Sequence, residues 1–416
     1  MPEAKNLPYA GLRMVEFTHM VMGPTCGMLF ADLGAEVIKV EPPKGDNTRR
    51  LLGSGAGFFP LFNRNKKSIT LDLKTPAGRE AIYKLIATAD VVSHNFKPET
   101  MAAQGLDYES LKKIKPDLIY VDLRGFLPGP YDKRTALDEV VQMMGGLAYM
   151  TGRRGDPLRA GSSVNDMMGG VFGAVACMAA IMQRQKTGAG QMVQSALFEN
   201  NILLVAQHMM QYEVTGVPAN PMPERISAWG VYDVFTVKDG EQIFLSAVSD
   251  TQWAIFSAAF GFADLFNHAE LHNNNARVVA RDWLIPELRT RLAGFTAQHL
   301  SEVFEAKGLP FAPIKRPHDL LNDPHILASG GMQAIKLVDG ERAGQTAHTI
   351  LFPFKMDGQH LGVRLNPPKL GEHTQAVLES LGYSEAEIAA QLTHSTPVSN
   401  LRPDPTSHTK PQAETN

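Results

Sequence analysis

The chain has 416 residues, 44% hydrophobic and 20% charged, with a formal net charge of −3 and two cysteines. This is the composition of a globular enzyme of two or three domains, and the absence of a long basic run excludes a nucleic-acid footprint or an anionic membrane surface as its main partner. Cys26 and Cys177 stand in apolar contexts without metal-ligand spacing, and no basic segment followed by an apolar run opens the chain, so the expectation is a cytoplasmic protein without a metal centre or a membrane span.

Leu12–Phe17 reads as a strand, Gly23–Leu33 as a helix stopped by Gly34, and Glu36–Val40 as a second strand. This βαβ opening, with Glu41 closing the second strand, suggests a nicotinamide-dependent dehydrogenase, but Gly23 and Gly27 do not make G-x-G-x-x-G. A plain structural turn explains them as well. Gly45–Gly57 reads as loop, Ser68–Leu73 as a strand, Thr75-Pro76 as the cap of a helix running to about Ala89, and Val91–His94 as another strand. The helical segment Asp107–Lys113 and the strand Leu118–Asp122 continue the alternation, which predicts an α/β fold with a parallel, doubly wound sheet. Ligands in such sheets bind beyond the carboxyl ends of the strands, where this chain carries His19, Glu41, Lys74, Asn95 and Phe96.

Further on, Met167–Met182 is apolar or small at nearly every position, which predicts a helix buried on all sides, although the run is short and glycine-broken for a bilayer. Asp166 stands at its mouth after loop and capping residues, so its carboxylate is expected at or near the N-cap, ionised at neutral pH. By itself this residue reads as a cap or as a nucleophile. Lys186–Gln191 reads as a turn, Ser195 to about Thr215 as a long helix, and Pro218–Pro223 as a linker. A hairpin, Val231–Val237 and Gln242–Ala247, then opens a smaller α+β domain over about 227–320, with a helix Ala297–Lys307 capped by Thr296. Strands near Gln333–Leu337 and Thr349–Lys355, two helices between Glu372 and Leu392, and an irregular tail from Ser395 complete the pattern.

Several of these segments together resemble the class III coenzyme A transferase family, which includes formyl-CoA transferase, carnitine CoA-transferase and alpha-methylacyl-CoA racemase. The blocks are Ala31–Glu41 with Gly45-Asp46, Asn63–Ile69 with Leu71–Lys74, Asn95-Phe96, Gly161–Gly169, Thr187–Gln191 and Leu370–Thr374, in family order. The resemblance implies a large Rossmann-like domain from both chain ends, residues 1–212 and 336–416, a small domain over 227–320, linkers at 213–226 and 321–335, and an interlocked homodimer. It also implies that Asp166 is the nucleophile. A carboxylate attacking an acyl-CoA thioester would give an acyl-aspartyl anhydride and CoA thiolate, and an aspartyl-CoA thioester would follow, with backbone amides of glycine-rich turns holding each oxyanion. No ATP, metal or tightly bound cofactor is needed; the partners are an acyl-CoA and a small organic acid.

As CoA contacts the resemblance implies His19, Met20, Leu71, Lys74, Asn95 and Phe96. The chain departs from the family pattern at Ala102-Ala103-Gln104, where a basic residue is common, so Lys97, Arg49 or Arg134 would have to compensate. No glycine run lies between Ala219 and Tyr232, which argues against formyl-CoA and oxalate. The position of the racemase histidine holds Leu137, which favours a transferase over a 2-methylacyl-CoA racemase. A non-catalytic nucleotide- or CoA-binding protein is the remaining alternative. The expected reaction is transfer from succinyl-CoA to a short dicarboxylate or related dianion, with Arg153, Arg154, Arg159 or Arg225 as countercharge.

Overall fold

The computed structural model describes residues 6–225 and 227–393, so the tail expected from Ser395 lies outside the described residues. The chain divides into two compact units. The larger takes the chain up to Tyr149, Pro157–Met210 and the chain from Ala328; the smaller takes Met150–Asp156 and Gln211–Leu327. Met150–Asp156 thus joins the smaller unit, which no change of composition marks. The segments read as linkers also carry structure: a helix runs on to Thr215, Met222–Glu224 is a 3-10 turn, and a helix at Pro324–Ser329 and a strand from Met332 fall within 321–335.

Up to Thr215 the order is β1 (Arg13–Phe17), α1 (Met22–Asp32), β2 (Glu36–Glu41), α2 (Phe58–Phe62), β3 (Lys66–Thr70), α3 (Pro76–Ala87), β4 (Val91–His94), α4 (Pro98–Ala103), α5 (Tyr108–Leu111), β5 (Ile119–Arg124), α6 (Asp138–Met144), α7 (Leu147–Thr151), α8 (Val164–Thr187), β6 (Gln191–Ala196) and α9 (Leu197–Thr215), with the last residues of α7 and α9 assigned to the smaller unit. The smaller unit pairs β7 (Val231–Thr236), β8 (Gln242–Ala247) and β9 (Phe311–Pro313) antiparallel, with α10 (Asp250–Phe260), α11 (Ala263–Phe266), α12 (Asn274–Val279), α13 (Arg281–Leu292) and α14 (Ala297–Lys307) between β8 and β9. Its core gathers Phe235, Leu245, Trp253, Phe256, Leu288 and Phe304.

All strands of the large sheet run parallel, in the order β3-β2-β1-β4-β5-β6. The chain winds outward from β1 to β3 and returns to place β4 against the other side of β1. The topological switch point therefore lies between the carboxyl ends of β1 and β4, where a crevice opens in sheets of this kind. Successive strand residues face opposite sides. Met14, Val37, Val91 and Ile119 pack with Cys26 and Phe30 of α1 and with Ala174 and Cys177 of α8. Val15, Ile38, Val92 and Tyr120 pack on the other side, with Ile82 and Leu85 of α3.

Helix α8 corrects two expectations. It is continuous over 24 residues, starting at Val164 and stopped by Gly188 in the left-handed conformation, and by length and composition it could cross a membrane. It is also not buried on all sides. One stripe carries glycines that let α1 and sheet side chains approach: a Cβ at Gly170 would lie 2.5 Å from the Met22 carbonyl oxygen, and one at Gly173 would lie 2.4 Å from Leu123 Cδ2. Away from that stripe Val175 is 54% and Met182 61% exposed.

Two strands of the large sheet differ from the sequence reading. β3 begins at Lys66 because that lysine is buried with its charge matched, its Nζ 2.8 Å from Glu16 Oε1 and 2.9 Å from the Pro24 carbonyl. β6 takes the last residue expected in the turn, Gln191, and the first two expected in the following helix, Ser195 and Ala196, since an edge strand buried on few of its side chains shows little alternation.

Candidate active site

Three cavities open around the switch point. The largest, about 900 Å³, is walled by Thr18–Met20 after β1, by Gly45–Thr48, and by Lys44, Lys74 and Phe96. A second, about 560 Å³, shares Lys74 and Phe96 and adds Leu71, Arg79 and Gln104. A third, about 320 Å³, holds Asp166 together with His19, Met20, Asn95, Phe96, Lys97, Arg134 and Asp138. Phe96 lines all three, so Asp166 and the six residues expected as CoA contacts lie on this connected surface. Gln104 stands beside Ala103 at the position that lacks a cation.

Asp166 does not cap α8. Ser163 is the N-cap residue, and the helix's first amides are satisfied by Asp138 of α6, whose Oδ2 accepts from Asn165 N at 2.8 Å and from Asp166 N at 3.1 Å. Among the described residues the Asp166 carboxylate accepts no hydrogen bond. Burial raises its pKa to about 7, and the charges of Asp138 and Glu139 push the same way, with only Arg159 opposing. The helix end therefore does not keep Asp166 ionised, because Asp138 already occupies the amides that would have stabilised its charge. Sequence reasoning missed this residue; the signal was the i, i+4 pair with Gln142, whose side-chain amide donates to Asp138 Oδ1.

The residues carried over as CoA contacts differ in what they are free to do. Lys74 is exposed at the cavity, and Leu71 is buried beneath it. The Asn95 amide is committed to the chain itself: its Oδ1 accepts from His19 N at 3.0 Å and its Nδ2 donates to the His19 carbonyl at 2.9 Å. The His19 and Phe96 rings meet edge to face at 4.9 Å between centroids, and burial holds the His19 pKa below its usual value against the pull of Asp46. Arg49 cannot serve as a phosphate clamp. It is buried, makes two hydrogen bonds to Glu41 at 2.8 and 2.6 Å, pairs with Asp339 at 2.8 Å, and stacks on Phe59 at 3.7 Å.

The family model described as CoA-transferase family III matches residues 9–374. The chain belongs to CoA-transferase family III. The succinate–glutarate CoA-transferase of Agrobacterium fabrum is 32% identical, with 92% of this chain and 97% of that protein covered. The succinyl-CoA–D-citramalate CoA-transferase of Chloroflexus aurantiacus is 31% identical over 92% of this chain and 96% of that protein. A solved CAIB/BAIF family protein from Brucella suis superposes with a TM-score of 0.80 at 33% identity, covering 90% of this chain and 100% of that one.

Within this CoA-transferase the dinucleotide reading of the opening fails on physical grounds as well. Glu41, the acid that would meet a ribose, is buried and already accepts from Arg49, Ser68 Oγ at 2.6 Å and Asp46 N at 2.9 Å. The Ala31–Glu41 and Asn63–Ile69 blocks are largely frame. Arg64 and Asn65 close on Asp32 at 2.7 Å each, and Lys39 pairs with Asp46 at 3.0 Å. Of the arginines expected as countercharge, Arg159 pairs with Glu139 and Asp138, Arg154 with Glu224 and Asn220, and Arg225 donates to the Met222 carbonyl. Arg153 forms a backbone bridge with Asp156. Among the described residues no group of three or more His, Cys, Asp or Glu is placed to hold a metal ion.

Proposed function

We propose that this transferase moves CoA from succinyl-CoA to a short dicarboxylic acid through Asp166, with an acyl-aspartyl anhydride and an aspartyl-CoA thioester as successive intermediates. The observation that carries the reading is the placement of Asp166, a carboxylate without hydrogen-bond donors, in a cavity that adjoins the large one through His19, Met20 and Phe96. A loosely solvated carboxylate is more basic and more nucleophilic than an exposed one. In the first step its oxygen bonds to the thioester carbonyl carbon and the C–S bond breaks, releasing CoA thiolate and leaving the acyl group on aspartate. CoA thiolate then attacks the Asp166 carbonyl of the anhydride, which expels succinate and forms the aspartyl-CoA thioester. The acceptor carboxylate attacks that thioester, giving an acceptor–aspartyl anhydride and CoA thiolate again, and the thiolate attacks the acceptor's carbonyl carbon to give the acceptor's CoA thioester and free Asp166. One thioester replaces another, so positioning and oxyanion stabilisation are what the protein must supply.

Relatives named for succinyl-CoA with citramalate, glutarate and mesaconate support the dicarboxylate choice. Lys74 and Lys44 line the large cavity and suit the CoA phosphates, while Lys97 and Arg134 line the Asp166 cavity and can meet an acceptor's second carboxylate. A racemase would require a second proton carrier, and the position that branch fills with histidine presents Leu137 to the cavity. The assembly we propose is a homodimer in the cytoplasm. Exposed Val175, Met182, Met192, Leu203 and Met210 support it, as do two free, buried thiols.

A panel of acyl-CoA donors crossed with mono- and dicarboxylic acceptors, read by product mass, tests the substrate class. Monocarboxylates exceeding every dicarboxylate in kcat/KM would overturn it. Hydroxylamine trapping with the acceptor withheld tests the mechanism, and the absence of an adduct on the Asp166 peptide would end it. Sedimentation equilibrium reads the dimer.

A further inference from the structure

Between β1 and α1 runs the short loop Thr18-His19-Met20. All three residues wall the large cavity, and His19 and Met20 wall the Asp166 cavity as well. Its main chain is held by side chains from three separate parts of the fold. Lys39 of β2 donates its Nζ to the Thr18 carbonyl at 2.5 Å. Asn95, just after β4, clasps both the N–H and the carbonyl of His19. Thr48 Oγ1 accepts from Met20 N at 2.9 Å.

Met20 itself has φ +60°, a left-handed backbone conformation that a long unbranched side chain seldom adopts. Such a backbone persists only where its surroundings over-determine it, and it gathers at functional sites. Thr48 is in turn fixed: Asp46 Oδ1 accepts from its N–H at 2.9 Å and from its hydroxyl at 2.7 Å, and Asp46 pairs with Lys39. The Asp46 carboxylate at 2.7 Å is a closer and stronger acceptor for the hydroxyl proton than Met20 Sδ at 3.8 Å, which leaves a lone pair for the Met20 amide. A side chain that only filled space at this buried position could not do both.

We infer that Thr48 is a positioning residue for CoA transfer: through the Met20 amide it holds the His19–Met20 wall in the left-handed conformation that sets where a thioester in the large cavity meets Asp166. The inference rests on the proposed reading of Asp166 as nucleophile. On that reading CoA would be held by groups spread along the large cavity, so a shift of one wall should change its affinity little. Transfer depends on the distance between two reacting atoms, and a misplacement of about 1 Å is enough to cost about 100-fold in rate.

The test compares Thr48→Val, which keeps the shape and removes the hydroxyl, with Thr48→Ser, which keeps the hydroxyl, in the full-length enzyme. For Thr48→Val we expect kcat to fall about 100-fold while the Kd for CoA changes less than about threefold, and Thr48→Ser to stay within about threefold of the unaltered enzyme. An unchanged kcat in Thr48→Val, an equal loss in Thr48→Ser, or a Kd that rises as far as kcat falls would each overturn the role. Should Thr48→Val not fold, hydrogen exchange at the Met20 amide of the unaltered enzyme decides. Protection supports the bond to Thr48, and exchange at the rate of a free chain overturns it. Because kcat is read as CoA transferred, a missing Asp166 adduct would end the nucleophile reading while leaving the Val–Ser contrast legible.

Discussion

Glu41, fully buried, and Asp166, half-buried at a cavity wall, are two carboxylates near the same crevice, and they behave in opposite ways. Burial tends to raise the pKa of Glu41, but hydrogen bonds from Arg49, the charges of Arg49 and Lys39, and the Ser68 hydroxyl outweigh it and hold the carboxyl below its ordinary value. Among the described residues no donor reaches the Asp166 carboxylate, and beyond burial the charges of Asp138 and Glu139 raise its pKa further, with Arg159 opposing them. One acid has its lone pairs filled by partners and ties the loop after β2 to the sheet. The other is left open toward a cavity. Burial alone does not make a residue structural or reactive; the number of donors that reach it does.

The largest effect that tests this contrast is on rate. Asp166→Ala should lower kcat by at least about 10⁴, on the order of 5.5 kcal/mol in barrier, in a steady-state CoA-transfer assay. A loss below tenfold would make Asp166 part of the frame, like Glu41. Arg49→Met should act on stability instead. Leaving Glu41 buried without its main partner is expected to cost about 3–5 kcal/mol in denaturant unfolding.

Asp166→Asn should stabilise the fold, in a pH-dependent way. The folded-state pKa of about 7 lies above the ordinary aspartate value of 3.8, so the native protein binds the proton more tightly than the unfolded chain. Stability from this group is full below about pH 4 and is lost as pH rises through about 7. Asparagine carries no charge to desolvate, so the gain over the unaltered enzyme should be absent near pH 4 and reach at most about 4 kcal/mol above pH 8 in thermal melts. A gain that is flat across pH would mean that Asp166 is not the titrating group. The smallest effect concerns Asp138. Asp138→Asn keeps an oxygen for the α8 amides and removes a negative charge beside Asp166, so the acidic limb of the kcat profile should move down by about one pH unit. An unmoved limb would leave Asp138 with the cap alone.

Local patterns determined much of this protein. Alternating strands and helices specified a parallel α/β unit, Thr75 and Thr296 marked the helix starts that they cap, and the hairpin of β7 and β8 stood where its turn residues placed it. Those features depend on contacts within a few residues, so a linear reading contains their causes. The motif blocks were sufficient to name the family, and the seven residues that the resemblance put forward, Asp166, His19, Met20, Leu71, Lys74, Asn95 and Phe96, line adjoining cavities.

Only the tertiary structure decided which of those groups are free. Asn95 looks like a ligand contact and turns out to clasp the His19 backbone 76 positions away in the chain; Arg49 looks like a phosphate clamp and is consumed by Glu41 and Asp339. Asp166 was expected ionised at a helix end, yet Asp138, 28 positions upstream, holds that end and pushes the aspartate toward its neutral form. The physical reason is common to all three. A side chain's charge and availability are set by what comes within about 3 Å of it, and at a switch point those neighbours arrive from strands that the chain visits far apart.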